Sequence, residues 1–188
     1  MLLTLSMIKL SLLAVVLGLG YGIPQIYGIA KPAAYAGALR KFPRSLAWGI
    51  VLTLAATAWF LWNVSQESIA DLASYKTYLM LVFAGIGIGT CIFVHDFLAV
   101  RGLAVVLLLL AKLMVDSGRP LLPETSSVLV IQIWAYVLVI VGMWLTVSPW
   151  RLRDWIAWAT ATEARTKLVA ASSAALGLIV AALGFAKY

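Results

Sequence analysis

The sequence predicts an all-α polytopic membrane protein, with about six transmembrane helices and a short interfacial helix before the last span. Three observations predict it. The hydrophobic share is 64%, whereas a soluble domain reaches about 45–50% even with glycine counted, so one soluble core cannot hide the excess. Charged residues make up 11%, against about 25% in a soluble domain, and they cluster between long apolar runs. Finally, 188 residues give room for roughly six spans of about 20 residues and little else. Residues 1–188 therefore read as a single transmembrane domain.

The first span is expected at Leu3–Ile23, or at Leu10–Ala30 with Lys9 at the water boundary and Pro24 as an internal kink. It has neither an early basic region nor a small-x-small cleavage site, so it reads as a span and not as a secretion signal. A basic connection with Lys31, Arg40, Lys41 and Arg44, punctuated by Pro32 and Pro43, leads to the second span at Ser45–Asn63. That span ends in Trp59, Phe60 and Trp62, rings suited to the headgroup level.

A polar stretch, Ser65 to Lys76, precedes the third span at Tyr78–Val94, and apolar character then continues to Val115. One helix of that length would reach roughly 57 Å, nearly twice the hydrocarbon thickness. The chain must turn, and His95 and Asp96 mark a tight hairpin, with Asp96 as N-cap of the fourth span. Asp116 to Ser127 reads as a loop because of Gly118, Pro120 and Pro123, and the fifth span follows at Val128–Val147. Ser148 and Pro149 start a short helix with Leu152, Trp155, Ile156 and Ala159 on one face and Arg151, Asp154, Trp158 and Arg165 on another. It is expected to lie in the interface before the sixth span, Leu168–Ala186.

Six spans sort the basic residues by side. Lys31, Arg40, Lys41, Arg44, Arg101, Arg151, Arg153, Arg165 and Lys167 fall on one side, against Lys76, Lys112, Arg119 and Lys187 on the other. The basic side is expected to be cytoplasmic, which places both termini outside the cell membrane. The net charge of +7 is explained by this sorting, and nucleic acid is not an expected partner.

Little in the sequence carries chemistry. Cys91 is the only cysteine and His95 the only histidine, which excludes an internal disulfide, a CxxC pair and a bis-histidine haem within one chain. Neither a cofactor nor a metal site is expected. The candidate functional polar residues are His95, Asp96, Arg101, Lys112, Asp116, Arg119 and the intramembrane Gln132. For Gln132 the simpler role is an interhelical hydrogen bond.

The run Lys112–Pro120, KLMVDSGRP, resembles the KxxxxxxRP element of the type 2 phosphatidic acid phosphatases, in which lysine and arginine hold the substrate phosphate. That family also requires PSGH and SRxxxxxHxxxD elements for its nucleophilic histidine and acid partner. Here no histidine follows His95, so the nucleophile is missing and the chain is not placed in the family. An i,i+4 pair of Lys112 with Asp116 explains the same residues. Pro24–Gln25 is similar to the dipeptide of PQ-loop transporters, without the second copy that their repeat requires. A rhomboid-like protease would need a serine where Gly87, Ile88, Gly89 and Thr90 stand.

Packing signals are clearer. Ala170, Ala174, Gly177, Ala181 and Gly184 draw a small-residue seam down the last span, Gly85 and Gly89 form a GxxxG in the third, and Gly18 and Gly22 form another in the first. Such seams let helix backbones approach closely. The expected partners are the lipid bilayer and other membrane subunits or copies of the chain. The expected function is a non-catalytic structural or accessory subunit of a membrane complex, the alternatives being a small oligomeric channel or carrier and a lipid-active enzyme.

Overall fold

The computed structural model describes residues 2–66, 75–121 and 128–186, with side chains from Leu10 onward except at 121. Residues 67–74 of the polar stretch, with Glu67 and Asp71, together with Pro123, Lys187 and the side chain of Lys9, lie outside the described residues. The protein is an all-α polytopic membrane protein. In chain order its helices are α1 (Leu2–Ala30), α2 (Pro32–Lys41), α3 (Leu46–Gln66), α4 (Lys76–Phe93), α5 (Leu98–Gly118), α6 (Val128–Val147), α7 (Trp150–Ala159) and α8 (Glu163–Ala186). Six of them, all but α2 and α7, are long and apolar enough to cross a membrane.

Four local features differ from the sequence expectation, each for a physical reason. Helix α1 runs unbroken through both registers weighed for the first span, with Pro24 inside it. At 1.5 Å per residue its 29 residues extend roughly 43 Å, longer than the hydrocarbon core, so the two registers are parts of one helix. The basic connection contains α2, opened by Pro32 at the first helical position, where a missing N–H removes no bond. Helix α8 begins five residues before the apolar run, because Thr162 caps it. The Thr162 Oγ1 accepts from the Arg165 N–H at 3.2 Å, and Glu163 occupies the first turn.

The fourth difference is at the hairpin. The turn lies where His95 and Asp96 were expected to make it, but Phe97 takes a left-handed backbone conformation at φ 53°. The N–H groups of Val100 and Arg101, in the first turn of α5, donate to the Phe97 carbonyl. The cap therefore falls on Phe97, and Asp96, the expected N-cap, stands one residue before it.

By contact the chain divides into two units. The first comprises α1, α2, the last turns of α5, the first turns of α6, most of α7, and α8. Its core joins Leu10 and Ala14 of α1, Ala111 and Met114 of α5, Ile131 and Ala135 of α6, and Val180 of α8. The α1–α8 contact is the tightest in it. Residues Thr166, Ala170, Ala174, Gly177, Ala181 and Gly184 are all buried on α8, and Gly18 and Gly22 are buried on α1. A Cβ built on Gly18 would come within 2.5 Å of the Gly177 carbonyl oxygen and 2.6 Å of the Ala181 nitrogen. Only glycine permits that approach. Ser11 adds a hydrogen bond to the Gly184 carbonyl at 2.6 Å. In lipid there is no hydrophobic drive between helices, so close van der Waals fit must hold them together.

The same unit ties α2 to the turn that precedes α8. Arg40 donates from Nε to the Thr160 hydroxyl at 2.9 Å and from Nη2 to the Thr160 carbonyl at 2.6 Å. At the other end of α2, the Tyr35 hydroxyl donates to Gln25 of α1 at 2.7 Å. Burial pushes the Tyr35 phenol above its ordinary pKa, an effect that the bond to Gln25 partly offsets. Trp158 is well exposed, and the Arg165 guanidinium lies 5.6 Å from its ring centroid, a pairing suited to the interfacial depth.

The second unit comprises α3, α4, the first half of α5 and the end of α6. Val100 and Ala104 of α5 pack with Leu145 of α6, and Gly142 of α6 admits Leu108 and the Ala104 carbonyl to within 2.9–3.2 Å of its absent Cβ. Helix α4 is the least covered of the six span-length helices, with only Gly87 buried.

Candidate functional site

The sequence-predicted polar residues divide between the two units. His95 and Asp96 are both exposed in the turn before α5. Lys112 and Asp116 form the i,i+4 ion pair at 2.9 Å, with both side chains about half exposed (45% and 51%). Such a pair contributes a few tenths of a kcal/mol, about 0.3–0.5 kcal/mol. Arg119 follows the last turn of α5 and is exposed. His95 and Arg119 thus flank opposite ends of one continuous helix of 21 residues, whose rise is roughly 30 Å.

Gln132 is buried, 5% exposed, and its Nε2 donates to the Val115 carbonyl at 3.4 Å. Gly118 makes room for it, since a Cβ there would lie 2.8 Å from that nitrogen. The amide thus joins α5 to α6 through a long hydrogen bond. Among the described residues, no three His, Cys, Asp or Glu side chains converge as metal ligands would.

Of the three seams, the α1 and α8 residues face one another, whereas Gly85 and Gly89 meet no second helix among the described residues. A Cβ on Gly85 would find nothing within 4 Å, and one on Gly89 only Phe93 of its own helix at 4.0 Å. The glycine of α4 that packs is Gly87, where an added Cβ would run into the Thr57 hydroxyl of α3. The run GIGIG offers three glycines at alternate positions, and the sequence alone does not say which of them faces α3.

Arg101 borders a cavity of about 250 Å³ between α3, α4 and α5. At one end stand Thr53, Thr90 and Arg101, and at the other Phe60 and Phe83, whose rings meet edge to face at 5.0 Å between centroids. Ala56, Thr57, Ile86, Gly87, Gly102 and Val105 complete the walls. From Thr53 to Phe60 the rise along α3 is roughly 10 Å, so the cavity is elongated and changes from polar to apolar along its length.

The threonines of this cavity are not equivalent. Thr57 donates to the Thr53 carbonyl at 2.8 Å and Thr90 to the Ile86 carbonyl at 2.7 Å, each bonding back one turn in its own helix. Thr53 does not. Its hydroxyl is buried without a partner, 2.9 Å from where a Gly102 Cβ would stand. An unsatisfied hydroxyl away from water costs about 1–3 kcal/mol, and so invites a functional explanation. Sequence reasoning missed Thr53, Thr57 and Gly87. The available signal was the i,i+4 pair of threonines within an otherwise apolar span.

Compared with known proteins, the chain matches no family model, no curated protein and no solved structure.

Proposed function

We propose that the protein is a non-catalytic, multi-pass subunit that packs through α4 against a transmembrane helix of a partner in a membrane complex. The observation that carries this reading is the open notch on α4. Gly85 and Gly89 stand one turn apart with no second helix among the described residues near their absent Cβ atoms, flanked by the exposed Val82, Ile86, Ile92 and Phe93. The chain uses the same small-residue device between α1 and α8, where it is filled by a helix. Lipid tails fill such a notch less completely than a helix backbone does, which favours a protein neighbour. The scattering of the polar residues supports the non-catalytic part, because nucleophile, base and phosphate-binding cations must converge to act together.

Purification from the native membrane in mild detergent is the test. A stoichiometric partner is expected to co-purify, to crosslink to a Gly85→Cys variant, and to be lost from Gly89→Leu while the fold remains intact. A chain that purifies alone, with Gly89→Leu unchanged in every respect, would sink the reading.

A further inference from the structure

We propose that the cavity between α3, α4 and α5 binds one acyl chain and the adjoining ester of an anionic glycerophospholipid. The three parts of such a lipid match the three parts of the cavity. Arg101, exposed on the first turn of α5 and among the cavity's lining residues, offers a planar cation to a phosphate. The hydroxyl of Thr53, unpartnered and closed off beside Gly102, offers a proton to an ester carbonyl once it rotates about its Cα–Cβ bond into the cavity that Thr53 lines. Beyond them the walls are apolar as far as Phe60 and Phe83, where a hydrocarbon tail loses nothing by leaving the bilayer and gains dispersion contacts.

Two features favour this ligand over a neutral one or a soluble anion. Arg101 lies only three residues into α5, roughly 5 Å along the axis, the depth at which a cation near a span end meets lipid headgroups. A soluble anion, by contrast, would leave the long apolar part of the cavity empty. The neighbouring hydroxyls bond within their own helices, so the spare donor at Thr53 is a local departure and not a general property of threonine in these spans.

The test uses the full chain in neutral detergent, with native mass spectrometry and thermal unfolding in the presence of phosphatidylglycerol, phosphatidylcholine or palmitate. Phosphatidylglycerol is expected to be retained and to raise the unfolding temperature, with phosphatidylcholine weaker. Arg101→Gln should weaken phosphatidylglycerol binding on the order of tenfold, the loss of one charge-assisted contact. Thr53→Val should weaken it a few-fold while leaving the lipid-free protein at least as stable, since it removes an unsatisfied hydroxyl at constant shape. A loss of lipid-free stability in Thr53→Val, equal retention of phosphatidylcholine, or binding indifferent to Arg101→Gln would overturn the proposal. Palmitate retained in preference to phosphatidylglycerol would overturn the ester assignment.

Discussion

Replacing Gly177 by alanine probes the α1–α8 contact with a single methyl group. The added Cβ would lie 2.6 Å from the Gly18 carbonyl oxygen and 2.9 Å from the Gly22 nitrogen and Cα. All three are backbone atoms, so no rotamer change relieves the overlap. Normal contact begins near 3.5 Å, so the two helices must separate by roughly 1 Å along much of their shared length. Overpacking of this kind costs about 1–3 kcal/mol, and the better helix propensity of alanine offsets up to ~1 kcal/mol of it. A net destabilisation of about 1–2 kcal/mol is expected. Gly20→Ala is the matched control on α1, because nothing lies within 4 Å of its Cβ position, and there the propensity gain should appear unopposed. Unfolding by SDS in mixed micelles, followed by tryptophan fluorescence, measures both. If Gly177→Ala is as stable as Gly20→Ala, the close approach of α1 and α8 is not what holds this unit together.

The other predictions are briefer. Arg40→Ala removes both bonds to Thr160 and should destabilise by about 1–2 kcal/mol, with faster proteolysis around residues 160–162; an unchanged cleavage pattern would count against the tie. Gln132→Leu breaks a hydrogen bond of 3.4 Å, and because such bonds average about 0.6 kcal/mol within membranes, its thermal unfolding should shift little; a large shift would mean that the amide has a functional partner. Lys41→Cys, at an exposed position, should react with an impermeant thiol reagent only from the cytoplasmic face, since the basic connections are proposed to lie there; labelling from outside alone would reverse the topology. Purified protein should release no phosphate from phosphatidic acid, and turnover abolished by both His95→Ala and Arg119→Ala would refute the non-catalytic proposal.

The sequence by itself determined the class of solvent, the number of spans and nearly all of their positions. Val128–Val147 is an apolar run in the sequence and a helix with the same ends in the structure, because in hydrocarbon a lone segment must satisfy its own backbone, which only a helix does. Helix starts in water are different: Thr162 begins α8 and Pro32 begins α2 by capping and backbone chemistry that hydropathy does not register. What only the tertiary structure decided is which helix faces meet. Gly18 and Gly177 are 159 positions apart in the chain, and nothing local pairs them; nor does anything local distinguish Gly87, packed on Thr57, from Gly85 and Gly89 beside it. Facing lipid and facing another helix both favour apolar side chains, so hydropathy carries no sign that separates them. The choice rests on shape complementarity over short distances, and for Thr53 on whether its hydroxyl turns to its own helix or toward Gly102, which is settled only when α3 and α5 come together.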